Sequence, residues 1–172
     1  MKKLILPAII LATFGCTSMN SASTGPKATA TISAISGSNV SGVVNFRELS
    51  GGAVEVHAVL SGVPAGVHGF HIHDKGDCGD NGNAAGGHFN PAGAPHAAPT
   101  VDPHHAGDFG NVTADAYNKV ETTFTTHSIT VSPGPNSVVG HAVILHGNPD
   151  DLTTQPSGNA GPRIGCGVAT LQ

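Results

Sequence analysis

The chain has no tryptophan, a single tyrosine and little charge: Asp, Glu, Lys and Arg make up 10% of its 172 residues. Seven Lys and Arg stand against eleven Asp and Glu, for a formal net charge of −4. Loss of Lys2 and Lys3 with a leader would take this to −6 (−4 − 2) and leave only Lys27, Arg47, Lys75, Lys119 and Arg163 as cations. So few cannot form a patch that displaces counterions from phosphates, which excludes nucleic acid as a partner. No glutamate falls among the histidines in the middle of the chain, which argues against a metal-dependent hydrolase needing a general base. Helical periodicity is also missing. With 24 Gly and 12 Pro, the composition suits short strands joined by turns.

The one sustained apolar run, residues 4–14, is too short to span a bilayer and follows Lys2-Lys3 in the layout of a secretory signal peptide. Gly15-Cys16 then resembles the bacterial lipobox, with Thr13 standing where leucine is usual. Two fates are open for Cys16: it carries lipid and anchors the chain to a membrane, or cleavage further on removes it. Both predict an exported chain, periplasmic or in the cell envelope, with residues 1–25 as leader and polar linker and 26–172 as one domain. In an oxidising compartment an odd cysteine count needs explaining. Cys16 once set aside, Cys78 and Cys166 are left free to pair.

Strand signals recur at short intervals over residues 28–35, 40–49, 53–60, 66–73, 109–116, 120–126, 138–146 and 164–171. Residues 53–60 show the plainest period of two. Eight such runs predict an all-β fold, an eight-stranded antiparallel Greek-key barrel or sandwich. Two long loops interrupt it, one after the fourth strand and one between His146 and Ile164.

Six of the eleven histidines lie between Gly69 and Asp108. His71 and His73 are a strand step apart and therefore share a face. His88 follows in a Gly-Gly turn, and His146 ends an apolar strand. His96, His105 and Asp108 form a second set inside a Gly/Pro/Ala-rich loop that metal would order. Three nitrogens with one carboxylate saturate a tetrahedral Zn²⁺, whereas four nitrogens suit Cu(II) with an axial position open. His88 can serve both sets, because imidazole has two ring nitrogens. His57, His127 and His141 read as solvent-facing or cross-strand residues, and His68 as a hydrogen-bonded structural histidine at a strand corner.

Four separated motifs carry a resemblance: Gly69-Phe70-His71-Ile72-His73, Gly87-His88-Phe89-Asn90-Pro91, His105-Ala106-Gly107-Asp108-Phe109-Gly110-Asn111, and the segment 158–167 through Gly161-Pro162-Arg163 to Cys166. Over residues 27–172 the chain resembles copper/zinc superoxide dismutases. The resemblance implies superoxide as substrate, one copper held by His71, His73, His88 and His146, and one zinc held by His88, His96, His105 and Asp108. It also implies Asp150 as the acid linking the two sites through hydrogen bonds, Arg163 as the active-site arginine at the copper mouth, the bridging His88 as a catalytic proton carrier, and a Cys78–Cys166 disulfide. Two departures stand out. Asp150 and Asp151 are the only charged residues between His146 and Arg163, which lowers the expectation of long-range steering. Cys78 follows soon after His73 as in bacterial members, so a homodimer, if formed, need not use the eukaryotic contact. The alternative from the same ligands is a periplasmic copper- or zinc-binding protein without turnover.

Overall fold

The computed structural model describes residues 25–172, so the leader and Cys16 lie outside the described residues. Nine strands form one antiparallel sheet: β1 (Lys27–Ala34), β2 (Ser41–Glu48), β3 (Val54–Ser61), β4 (Gly66–His73), β5 (Asp108–Ala114), β6 (Lys119–Thr126), β7 (Ala142–His146), β8 (Arg163–Val168) and β9 (Thr170–Leu171). Their order is β5-β4-β7-β8-β1-β2-β3-β6, with β9 beside β1. The sheet curls until its two end strands meet, where Phe109 of β5 and Phe124 of β6 pack with ring centroids 5.3 Å apart. The result is a nearly closed eight-stranded barrel, β9 being a two-residue addition.

Alternation decides which side chains fill the barrel. In β3, Val54, Val56, Ala58 and Leu60 point inward, and His57 stands on the outer face opposite Asn45 and Thr123. Strands β4 and β7 differ because both of their faces are covered. Their inner residues Phe70, Ile72, Val143 and Leu145 join the main core. On the outer face, Ala142 and Ile144 join Ala85 and Cys166 in a second apolar cluster, with Cys78 of the first long loop and Ile35 packed against it. His71, His73 and His146 share that outer face, on registers His71↔Ile144 and His73↔Ala142. The loops thus bury polar side chains that a plain sandwich would leave in water.

Three features depart from the sequence expectation. The seventh strand begins at Ala142, not at residue 138: Val138 is buried in the core from a turn in which the His141 amide bonds the Val138 carbonyl. The final run breaks at Ala169, whose amide and carbonyl turn aside to His141 and Gly140 before β9 rejoins β1. Asp80–Ala85 forms a short 3-10 segment, interrupted at Asn81 and Gly82, which adopt positive φ.

Cys78 and Cys166 are disulfide-bonded, with Cα atoms 5.8 Å apart and a sequence separation of 88. In the chain-entropy model, closing a loop of that length stabilises the fold by about 4–5 kcal/mol. The bond fastens the first long loop to β8, next to Arg163. No helix among the described residues is long and apolar enough to cross a membrane.

Candidate metal centre

Two sets of four side chains converge under the loops: His71, His73, His88 and His146, and His88, His96, His105 and Asp108. Within each set, one donor atom per residue lies within 4.8 Å of all the others, and every member is buried. β4 and β7 supply His71, His73 and His146. His88 comes from the first long loop, which returns beside β4 through an isolated bridge with His73. His96 and His105 come from the same loop, and Asp108 opens β5.

Hydrogen-bond partners fix which ring nitrogens are free in the first set. His73 Nδ1 donates to the Gly86 carbonyl at 2.9 Å, and His146 Nδ1 faces the Gly161 carbonyl at 3.3 Å. Both Nε2 atoms are then lone-pair nitrogens, and they face one another at 3.3 Å. His71 donates through Nε2 to Asp150 Oδ2 at 2.8 Å, so its Nδ1 is likewise a lone pair. Among the described buried side-chain atoms, only His71 Nδ1 and His88 Nε2 have no hydrogen-bond partner. Four nitrogen lone pairs therefore point at one another with no proton between them. Such an array is repulsive by itself and is resolved by a cation.

Burial lowers the pKa of His71 and His73 well below the ordinary imidazole value, and the neighbouring His88 lowers each further. His146 is pushed down to about 4, chiefly by burial, with the Gly161 carbonyl opposing and His88 and Arg163 adding to the effect. The rings are neutral at pH 7, the state that coordinates metal.

The second set is built around one oxygen. Asp108 Oδ1 lies 2.7 Å from His88 Nδ1, 3.0 Å from His96 Nδ1 and 3.1 Å from His105 Nδ1. A tetrahedral ion with bonds of about 2.0 Å needs donors about 3.3 Å apart, close to these spacings. His96 also contacts Asp150 Oδ1 through Nε2 at 3.0 Å, so both of its nitrogens face carboxylates. A neutral ring has only one N–H to offer, and a cation at the Nδ1 side completes the other contact. Burial alone would raise the Asp108 carboxyl, but hydrogen bonds from His88 and the Ala97 amide hold it well below the usual carboxylate range. Asp108 Oδ2 accepts from the Ala97 and His105 amides at 3.2 and 3.0 Å. The residues present fit a metal in each set, with His88 facing both.

A model of the copper/zinc superoxide dismutase family matches residues 40–169. The chain belongs to that family. A similar solved structure is the crystal structure of the clock protein EA4, with 34% sequence identity and a TM-score of 0.79, covering 87% of this chain and 96% of that one. A protein known as a clock protein thus shares the fold, so turnover has to be argued from the site and not from the fold.

Asp150 joins the two sets: Oδ2 accepts from His71 and Oδ1 from His96 and from the Leu152 amide. It is 4% exposed, so it is no solvated acidic turn. Asn111 pairs with both the amide and the carbonyl of Asp150, at 2.8 and 2.9 Å. Gly158 has φ +68°, and a Cβ there would overlap Asp150 Oδ1 and approach His96 Nε2 to 2.7 Å. Only glycine leaves room for the Asp150–His96 bond. Asp151 is exposed and ties its own loop, accepting from Thr153, Thr154 and Asn159.

The first set opens on a cleft of about 620 Å³, lined among others by His73, His88, His146 and Arg163. Arg163 donates to the carbonyls of Gly82 and Gly86, the latter at 2.6 Å. Those carbonyls belong to the loop that Cys78 anchors, so the disulfide and the guanidinium brace the same wall. Partial burial lowers the Arg163 pKa, yet a guanidinium starting from 12.5 stays charged at pH 7. It is the sole cation in the lining among the described residues.

The remaining histidines divide. His68 lies 2.9 Å from the His146 carbonyl and 2.7 Å from the Pro64 carbonyl, a structural tie between β4 and the end of β7. His127 is exposed. His141 is neither solvent-facing nor on a strand: its ring stacks on Phe89 at 4.0 Å, because the turn before β7 folds it inward. Asn111 and Gly158 lay within quoted motifs, but their roles depend on contacts with Asp150 that no local pattern encodes.

Proposed function

We propose that the protein dismutes superoxide to oxygen and hydrogen peroxide. The first set, His71, His73, His88 and His146, would hold copper, and the second, His88, His96, His105 and Asp108, would hold zinc. The observation that carries this is the position of His88: Nδ1 lies against Asp108 Oδ1, while the buried Nε2 has no partner and faces the four-nitrogen set. Copper, when bound, supplies a redox couple that takes one electron from one superoxide and returns it to a second.

The chain's own residues do the rest. Arg163 offers a fixed, permanently charged fork to a small anion at the cleft wall. His88 Nε2, at the inner end of that cleft, can hold a proton and pass it to the reduced substrate. The other ligand rings are held by acceptors: His71 by Asp150, His73 by the Gly86 carbonyl, His96 by Asp150. Such partners set the tautomer and orientation of a ligand imidazole. Gly86 accepts from both His73 and Arg163, which ties the anion-binding group to a copper ligand.

Metal binding without turnover is the competing reading, and the fold shared with the clock protein EA4 keeps it in play. What favours turnover is Arg163 in an open cleft, which storage of a cation does not need. Purified protein loaded with one copper and one zinc per chain should consume superoxide; loading without consumption would establish the binding protein instead. The leader supports export to the periplasm or envelope, and mass analysis of Cys16 decides between a lipid anchor and cleavage. Sedimentation of the loaded protein decides whether it pairs with a second copy of itself.

A further inference from the structure

We propose that Gln155 is a positioning residue for the second metal set, a latch that fixes His96 and the rim of the cleft relative to each other. The proposal rests on the reading above that His88, His96, His105 and Asp108 hold a metal. Gln155 belongs to the second long loop and His96 to the first, 59 residues apart in sequence. The Gln155 side-chain amide pairs with both backbone groups of His96: Oε1 accepts from the His96 amide at 2.8 Å, and Nε2 donates to the His96 carbonyl at 2.7 Å. The pairing is complementary in only one orientation of the amide, so donor and acceptor are assigned without ambiguity.

His96 is thereby held at four points. Asp150 accepts from Nε2, Nδ1 faces Asp108 Oδ1 at 3.0 Å, and Gln155 pairs with the main chain on both sides. Without Gln155 the ring would still meet two carboxylates and the neighbouring Ala97 amide would still bond Asp108 Oδ2, but neither backbone group of His96 itself would be tied. Metal coordination tolerates displacements of only a few tenths of an ångström. The latch works in the other direction too. Pro156 and Ser157, immediately after Gln155, line the cleft beside Arg163. Occupancy of the second set and the shape of the substrate cleft are therefore linked through one amide.

Gln155 is exposed, so its replacement leaves the core intact. Gln155→Glu has the same shape, yet it sets a carboxylate oxygen against the His96 carbonyl, acceptor against acceptor. Gln155→Ala removes both contacts without adding repulsion. The experiment titrates the metal-free protein with Co²⁺ alone and follows its visible absorption, with His105→Ala as a control lacking one donor of the set.

Native protein should bind cobalt with a spectrum that His105→Ala abolishes. Gln155→Ala should bind about tenfold more weakly, in the range expected for loss of a partner that orients a ligand, and with shifted bands. Gln155→Glu should be at least as weak as Gln155→Ala. In the metal-free protein the His96 amide should exchange with solvent several-fold faster in Gln155→Ala than in native. Affinities within about twofold, superimposable spectra and unchanged His96 exchange, with the His105→Ala effect intact, would overturn the latch and leave the metal set standing. Cobalt binding indifferent to His105→Ala would remove both.

Discussion

Asp150→Asn is isosteric and changes only the donor and acceptor pattern at the link between the two sets. Asp150 receives three donors: the His96 ring and the Leu152 amide at Oδ1, and the His71 ring at Oδ2. Asparagine has one acceptor oxygen and one NH₂. Two donors at Oδ1 against one at Oδ2 decide its orientation: the oxygen stays toward His96 and Leu152, and the NH₂ turns on His71. His71 Nε2 can no longer donate there, so the ring shifts its proton to Nδ1, the atom that faces the four-nitrogen set. A protonated nitrogen cannot coordinate. Copper affinity should fall about 10- to 100-fold, or roughly 1.4–2.7 kcal/mol, while zinc affinity changes by less. Asp150→Ala leaves neither ring an acceptor and should weaken both metals. Competition titrations against chelators of known affinity measure each metal separately. A variant that lost zinc and kept native copper affinity would refute the assigned orientation; one that kept both would refute the linking role.

Arg163→Ile should slow superoxide consumption by roughly ten- to hundredfold, the loss of a charge-assisted hydrogen bond, with both metals retained. Rising salt should slow consumption by the native protein more than by this variant, because screening acts on the charge it lacks. Equal salt slopes would locate the attracting field elsewhere, with Lys75 and Lys119 the next residues to replace. Replacing Cys78 and Cys166 by serine should lower the stability of the metal-free fold by about 4–5 kcal/mol and loosen the Gly82 and Gly86 carbonyls that hold Arg163; denaturant melts that match native protein would contradict it. The metal-free fold should also lose stability in acid. His146 has a folded pKa of about 4 against an ordinary 6.5, so its contribution is complete above 6.5 and disappears as pH falls through 4. That amounts to roughly 3 kcal/mol from this ring. Melting temperatures of metal-free protein that stay flat between pH 7 and 4 would contradict the burial of these histidines.

Much of this site was legible in the sequence because its donors sit on elements with strong periodicity. His71 and His73 share a face by alternation alone, and His146 ends an apolar run whose register follows from β4. The Asp108 set was legible as a short chain of ligand types in a loop that nothing else would order. Other features left no local trace. Asp150 reaches partners 79 and 54 residues away, and the motif resemblance pointed to it where its own neighbourhood did not. Gln155 and Asn111 act through paired contacts with a distant backbone, and a glutamine in a polar loop looks like any other. The break at Ala169 and the late start of β7 share one cause: buried apolar residues, Val138 and Ala169, lie in both, while the backbone hydrogen bonds turn aside to pair Ala169 with Gly140 and His141. Periodicity reports burial, and burial continues past the end of a strand.

The proposed dismutation depends on His88 serving both sets. Copper and zinc content and superoxide consumption, measured together on native and His88→Ala protein, test it most directly. One copper and one zinc per native chain, with rapid consumption, are expected. In His88→Ala, the binding of each metal should become independent of the other and turnover should disappear. Full activity in His88→Ala would contradict the shared histidine, whatever the metal content.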